Sequence, residues 1–324
     1  GDQDPFLPTN RGFDYYYGIP YSNDMWPQHR RAGQGGIWNM PWLPVMRNTE
    51  VVDQVRDMDD QATLCKRFTD EAEKFIRDNS DRPFFVYIPH AFVHHPRAAR
   101  EEFMDNADNV TEAQIEEVDW SVGRILDTIR ELGLSENTMV FFTSDNGGSR
   151  GCVNAPLRGG KGTAWEGGMR EPTIEWWPGT IPAGSECDVT CSVLDILPTL
   201  AGLSGGTVPS DRIIDGEDIS PLLTGRPEAV DPYRPLFYYR GYNLAAVRCG
   251  PWKLHKKGTR LYNLEKDIGE KKDVSAEHLD IVAMLKAQLD RAARDLGDDG
   301  KPGRNVRPPA RVKNPKPLLP RPEY

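Results

Sequence analysis

Apolar residues in this chain form two kinds of run: short continuous ones, and longer ones spaced three and four apart. Pro83-Phe84-Phe85-Val86-Tyr87-Ile88 and Met139 to Phe142 lack polar alternation. That is the pattern of a strand covered on both faces, as in a parallel sheet. Thr173 to Pro178 reads as a further short strand. Between Asp59 and Ser80, the residues Ala62, Cys65, Phe68, Ala72, Phe75 and Ile76 recur at helical spacing and predict a helix covering the sheet. Thr111 to Leu132 is the most regular segment. Ile115, Val118, Val122, Ile125, Ile129 and Leu132 mark one face, Thr111 and Gln114 have the spacing of a capping box, and Gly133 is placed to close the helix. This helix leads directly into the strand at Thr138, and such alternation predicts an α/β, doubly wound arrangement.

Proline, glycine and aromatics crowd residues 5 to 26, which predicts an ordered, packed loop. Residues 28 to 44 are irregular, a loop beside a substrate entrance or a packed surface loop. Pro221 to Gly225 places a domain boundary near 225. Beyond it, Leu236 to Tyr239, Leu244 to Val247 and Trp252 to His255 predict antiparallel strands, and Ser275 to Leu296 a helix closed by Gly297. Residues 226–297 are thus expected as a small α+β domain after a larger one at 1–225. The proline-rich, basic tail 298–324 is expected to be extended.

At 324 residues the chain can bury a sizeable core. Its net charge of −9 argues against general nucleic-acid binding, so an anionic ligand needs a local cationic pocket. No apolar run approaches the roughly 20 residues of a membrane helix. The five cysteines are too few and too scattered for a disulfide framework or a zinc pattern. Cys187 and Cys191 are close enough in sequence to pair, and free thiols are the equal alternative. Asn109-Val110-Thr111 is an acceptor sequence for N-glycosylation, of consequence only on a eukaryotic secretory route. The start at Gly1, without Met or a leader, reads as that of an excised piece.

Candidate chemistry follows the two continuous runs. Asp145 and Asn146 stand where one of them ends, before Gly147 and Gly148. In open α/β sheets ligands gather at the carboxyl ends of strands, and a carboxylate beside an amide oxygen suits calcium or magnesium. An Asp-Asn-Gly turn is the plain alternative. Lys161 lies between Gly160 and Gly162, a backbone that approaches an anion closely while presenting one ammonium. After the other run come His90, His94 and His95, too few for a zinc site without further ligands, but suited to hold an anion or protonate a leaving group.

Taken together, these segments resemble the sulfatase family, in its arylsulfatase A and N-acetylgalactosamine-6-sulfatase branch. Ser144-Asp145-Asn146-Gly147 is similar to the family's metal-binding strand end. Gly160-Lys161-Gly162-Thr163, Glu166-Gly167-Gly168 and Arg170-Glu171-Pro172 resemble its sulfate-binding lysine loop. His90-x-x-x-His94-x-Pro96 matches a pattern whose second histidine contacts the sulfate ester, residues 7 to 25 match a further segment of the family, and Val193 to Leu200 resembles its Asp-x-x-Pro-Thr helix, of structural role. The resemblance implies an alkaline-phosphatase-like α/β fold, with a large mostly parallel sheet flanked by helices and a smaller C-terminal domain with an antiparallel sheet. It implies a formylglycine nucleophile, one calcium ion, a sulfated small molecule or glycan as substrate, and a periplasmic, extracellular or lysosomal location. Asp145 and Asn146 would be metal ligands, Lys161 would hold a sulfate oxygen, and His94 would contact the ester or the leaving group.

The sequence departs from the family in having no Cys-x-Pro-x-Arg or Ser-x-Pro-x-Arg, no Asp-Asp strand end and no Lys-x-His pair. Cys249, in Cys-Gly-Pro-Trp-Lys, lacks the arginine and reads as a decoy. The expectation is therefore the C-terminal part of a sulfatase, with its nucleophile in a segment not present and the chain alone inactive. A phosphate-ester or phosphonate hydrolase of the same superfamily and a non-catalytic protein that binds sulfated glycans are the alternatives.

Overall fold

The computed structural model describes residues 1–27, 40–149, 152–226, 230–231 and 233–320. The chain divides into two compact units, Gly1–Ser135 with Ala310–Tyr324, and Glu136–Pro309. Most of the loop expected at 28 to 44 lies outside the described residues.

In the first unit, β1 (Tyr17–Gly18), β2 (Leu43–Arg47) and β3 (Glu50–Val55) form an antiparallel sheet in that order. Asn48, at φ 54°, turns the β2–β3 hairpin, and its side-chain oxygen accepts from the Tyr16 N–H at 3.0 Å. Trp26, Leu43, Val45, Val55 and Leu64 pack together, which anchors the aromatic opening loop. The helix expected from Asp59 to Ser80 is broken at Thr63 into α1 (Met58–Ala62) and α2 (Leu64–Asp78). A short α3 (Glu101–Met104) precedes α4 (Val110–Glu131). The tail is tied back at one point, where Gln3 exchanges two hydrogen bonds with the Lys316 backbone at 2.8 and 3.1 Å.

Helix α4 differs from its sequence reading in two ways. Its N-cap is Asn109, whose side chain accepts from the N–H of Thr111 and Glu112, so the Thr111–Gln114 box is not the start. Its buried face is also largely polar. Gln114, Glu117, Ser121 and Thr128 are buried, whereas Ile115 is 57% exposed. Partners on neighbouring segments make this possible, because a buried polar group is tolerated when it is hydrogen-bonded. Glu117 accepts from Arg100 at 2.8 Å, and Glu73 of α2 accepts from Arg124 at 2.7 Å and Thr128 at 3.2 Å. The expected C-cap is present: Gly133 sits at φ 69° and the Leu134 N–H reaches the Ile129 carbonyl at 3.0 Å.

His90 belongs to this polar seam. The Thr69 hydroxyl donates to the Cys65 carbonyl at 2.8 Å, so it takes the Ser121 proton across their 2.6 Å contact. That leaves His90 Nε2–H to donate to Ser121 Oγ at 3.3 Å. Burial holds the His90 pKa down to about 4, and burial together with the Glu117 charge pushes the Cys65 thiol up to about 12. Neither group is charged near neutrality. The stretch 83–88, expected as a buried strand, forms no strand and pairs with none among the described residues. Phe85 and Tyr87 are 57% and 67% exposed.

The second unit begins with β4 (Val140–Thr143), which pairs with β5 (Thr173–Trp176) after α5 (Glu166–Met169). The pairing is antiparallel and β4 is half-buried, so the described residues assemble no parallel sheet from the continuous apolar runs. Next come α6 (Ile196–Leu203), where the helix near Val193 was expected, and α7 (Ser220–Leu223). The boundary expected near 225 falls inside this unit.

A four-stranded antiparallel sheet then runs β6 (Leu236–Arg240), β7 (Asn243–Cys249), β8 (Trp252–His255) and β9 (Arg260–Asn263). The last strand is one the sequence reading passed over. Helix α8 (Leu279–Asp295) starts later than expected and buries Val282, Leu285, Leu289 and Ala292 against Leu244, Val247, Leu254 and Leu261. A small ribbon, β10 (Gly297–Asp298) with β11 (Lys301–Pro302), follows it. Cys249 is buried in β7 and donates its thiol proton to the Tyr233 carbonyl, while Cys187 and Cys191 are free. No helix among the described residues is long and apolar enough to cross a membrane.

The unfolded chain takes up a proton on His90 near pH 6.5. The folded state refuses it down to about pH 4. Between these values the unfolded state binds more protons, so stability present above pH 6.5 is lost as pH falls. Urea unfolding at pH 6.5 and pH 5 should show a loss of about 1.5 kcal/mol from this source, reduced in His90→Gln. Equal losses in both proteins would refute the assignment.

Candidate active site

Three of the four residues singled out by sequence sit in the second unit, on two segments fastened to each other. Asp145 and Asn146 occupy the turn after β4, Asp145 exposed and Asn146 half-buried. The Lys161 backbone N–H donates to the Gly148 carbonyl at 3.0 Å, so the lysine loop is bonded to that turn. Asn154 reinforces the link: its oxygen accepts from the Gly148 N–H at 3.0 Å, and its amide donates to the carbonyls of Gly148 at 3.1 Å and Gly159 at 3.2 Å.

The glycines here allow one backbone to lie against another. A Cβ at Gly147 would stand 2.1 Å from the Gly167 carbonyl oxygen, and one at Gly168 would stand 2.5 Å from that of Gly160. Gly162, at φ 82°, turns the chain after Lys161.

The Lys161 side chain is exposed, and no carboxylate pairs with it among the described residues. Asn146 donates its amide to the Gly147 carbonyl at 3.3 Å, which leaves its side-chain oxygen for another partner. Burial, and then the Asp145 charge, raise the Glu171 carboxyl above its ordinary range, which places a second carboxyl in the field of Asp145. Oxygen donors of this kind fit a hard cation, though two fall short of the roughly six to eight that calcium takes. No group of three His, Cys, Asp or Glu among the described residues could hold a metal ion.

His94 lies in the first unit, half-buried. Its Nδ1 is 2.9 Å from the His95 carbonyl oxygen and 3.2 Å from Asn23 Oδ1. Both are acceptors, so Nδ1 carries the proton and Nε2 is the atom left for chemistry. Asn23 is itself only 3% exposed. Nothing in its sequence context points to it.

The sequence reading also missed what holds the lysine loop. Glu166, at the start of α5, is fully buried, and its carboxylate accepts from Lys253 Nζ at 2.7 Å, Arg248 at 3.1 Å and the Tyr238 hydroxyl at 3.1 Å. Arg170, one turn on, adds a third cation at 3.1 Å. Glu270 bonds the Glu166 N–H at 2.8 Å, Lys253 at 3.1 Å and His255 Nε2 at 2.9 Å. Burial alone would raise the Glu166 pKa, but Lys253, then Arg248 and Arg170, overcome it and hold it below the ordinary carboxylate range. The stability it contributes is therefore present above that range and lost as pH falls through the lowered value.

Removing one member of a buried pair leaves its partner charged and uncompensated, at a cost of about 3–5 kcal/mol. Glu166→Ala should lose that much in denaturant unfolding, and Glu166→Gln combined with Lys253→Met should recover part of it. A loss below about 1 kcal/mol in Glu166→Ala would show the cluster to be dispensable.

A profile of the family described as Sulfatase matches residues 2–206. N-acetylgalactosamine-6-sulfatase of Canis lupus familiaris is 38% identical over 270 residues, covering 79% of this chain and 50% of the relative. Arylsulfatase A of Homo sapiens is 32% identical over 348 residues, covering 90% of this chain and 67% of the relative. The chain spans about half the length of the first of these. The crystal structure of Ps i-CgsB, also solved in complex with k-i-k-neocarrahexaose, matches with a TM-score of 0.75 at 28% identity, over 90% of this chain and 68% of that one. These likenesses establish the α/β, alkaline-phosphatase-like class that the described strands do not display by themselves. With the motifs at 144–147 and 160–172 lying inside the matched region, the chain belongs to the sulfatase family.

Proposed function

We propose that this chain supplies part of the active site of a sulfuric ester hydrolase. The observation that carries the reading is the fastening of the Lys161 loop to the Asp145-Asn146 turn, in a chain of this family. A sulfate ester is a fixed anion whose cleavage moves further negative charge onto the leaving oxygen. Cations and donors already in place stabilise that charge without reorganising. Lys161 holds a sulfate oxygen. His94, with Nδ1 held by the His95 carbonyl and Asn23, takes a proton at Nε2 and delivers it to the leaving alcohol.

Asp145 and Asn146 would hold the calcium ion, with further ligands from outside the described residues. When bound, the ion polarises the sulfate oxygens. The nucleophile is a formylglycine formed from the Cys or Ser of a Cys- or Ser-x-Pro-x-Arg motif, which this sequence does not contain; Cys249 lies in the β7 strand with its thiol bonded to a carbonyl. The substrate is a sulfated glycan or an aryl sulfate. The oligosaccharide in the Ps i-CgsB complex supports the glycan class.

On this account the chain alone should not turn over 4-nitrocatechol sulfate. A longer protein that carries the nucleophile should do so, and Lys161→Ala in it should lower kcat/KM roughly 10²–10³-fold. Chelation of divalent cations should abolish the activity. Turnover by the chain alone, undiminished turnover in Lys161→Ala, or a preference for phosphate esters would each overturn the reading.

A further inference from the structure

The segment that carries Lys161 also walls an open cleft. Cys152, Asn154, Pro156, Leu157, Arg158 and Lys271 line it, and its volume is about 550 Å³. That lies within the range of small-molecule sites. Two cations face this space. The Arg158 guanidinium lies 3.7 Å from the Trp165 ring centroid, and one of its N–H groups donates to the Glu270 carbonyl at 2.7 Å. The side chain is thus held in place while its remaining donors stay available.

Lys271 is exposed, and its backbone N–H is fixed by the Asp267 carboxylate at 2.7 Å, which also takes the Lys272 N–H. Among the described residues no carboxylate forms an ion pair with Arg158 or Lys271. Among the described residues no carboxylate lines the cleft, in a chain whose net charge is −9. Pro156 and Leu157 add apolar wall. Gly159 is also a lining residue, two positions before Lys161, so the cleft begins within roughly 7 Å of the lysine along the chain.

Two uncompensated cations beside an apolar wall suit an anionic group carried on a sugar ring. We propose that this cleft is a second anion subsite, in which Arg158 and Lys271 take a sulfate on a neighbouring sugar of the glycan whose ester is held at Lys161. The inference rests on the reading of Lys161 given above. It narrows the substrate class to glycans sulfated on adjacent residues, because a singly sulfated ligand leaves both cations unpaired.

Isothermal titration of the chain itself tests this with two galactose-based tetrasaccharides, one sulfated on a single residue and the other on two adjacent residues. The doubly sulfated ligand should bind about tenfold tighter, with an advantage that shrinks as salt is raised. Lys271→Ala should bring the two ligands within about twofold of each other while leaving the affinity for the singly sulfated one unchanged. Circular dichroism checks that this variant is folded, and Arg158→Lys, which keeps charge but loses the fork, should reduce the preference in part.

Equal affinity of the unaltered chain for both ligands would overturn the proposal. So would a preference that survives Lys271→Ala, or no detectable binding of the doubly sulfated ligand. Lys161→Ala should weaken both ligands alike. If it leaves the singly sulfated one unaffected, the role of Lys161 fails, and the Lys271 comparison still judges the cleft separately.

Discussion

The second unit depends on a buried cluster of charges in which Glu166 and Glu270 meet Lys253, Arg248, Arg170 and His255. Burying charges is unfavourable unless each is paired and hydrogen-bonded, and here the two carboxylates share one lysine and divide the remaining donors. The arrangement fixes geometry more than it adds net stability. Glu166 opens the short helix that follows the lysine loop, while its partners Tyr238, Arg248 and Lys253 stand on β6, β7 and β8. The C-terminal sheet thereby holds the segment that presents Lys161. A short helix with two glycines in it has little stability of its own and gains its position from those partners.

The loop's other attachments act in the same sense. Asn154 and the Lys161 backbone bind it to the turn bearing Asp145 and Asn146, and the bare backbones of Gly147, Gly160, Gly167 and Gly168 let these strands of chain lie in contact. The result is an exposed ammonium and two side-chain oxygens on segments fastened to each other. In the first unit His94 is held on a smaller scale, with Nδ1 committed to the His95 carbonyl and Asn23.

What the sequence revealed and what it concealed divide along physical lines. Helix α8, the three strands β6 to β8 and the C-cap at Gly133 follow from local periodicity and from a residue that tolerates positive φ, so they could be read directly. The lysine loop is legible because its spacing matches a family pattern and its glycines flank a single ammonium, which points to an anion cradle. The structure adds that several of its glycines serve backbone contact.

The buried face of α4 was misjudged because periodicity counts apolar residues, whereas Glu117, Ser121 and Thr128 are buried by partners more than ten residues away in sequence. Glu166, Lys253 and Asn23 were passed over for the same reason, since an ion pair across 87 positions leaves no trace in either segment alone. The continuous apolar runs at 83–88 and 139–142 carry the signature of covered parallel strands. Among the described residues one stays unpaired and the other pairs antiparallel.

The central claim is that these residues form part of a sulfatase active site whose nucleophile lies on a segment outside this sequence. Sequencing the coding DNA upstream of Gly1, in frame, tests it most directly. The account predicts an Asp-Asp strand end, a Cys- or Ser-x-Pro-x-Arg motif and a Lys-x-His pair, which together supply the remaining metal ligands, the nucleophile and further charge stabilisation. An initiation codon immediately before Gly1, or an upstream segment without those motifs, would contradict it.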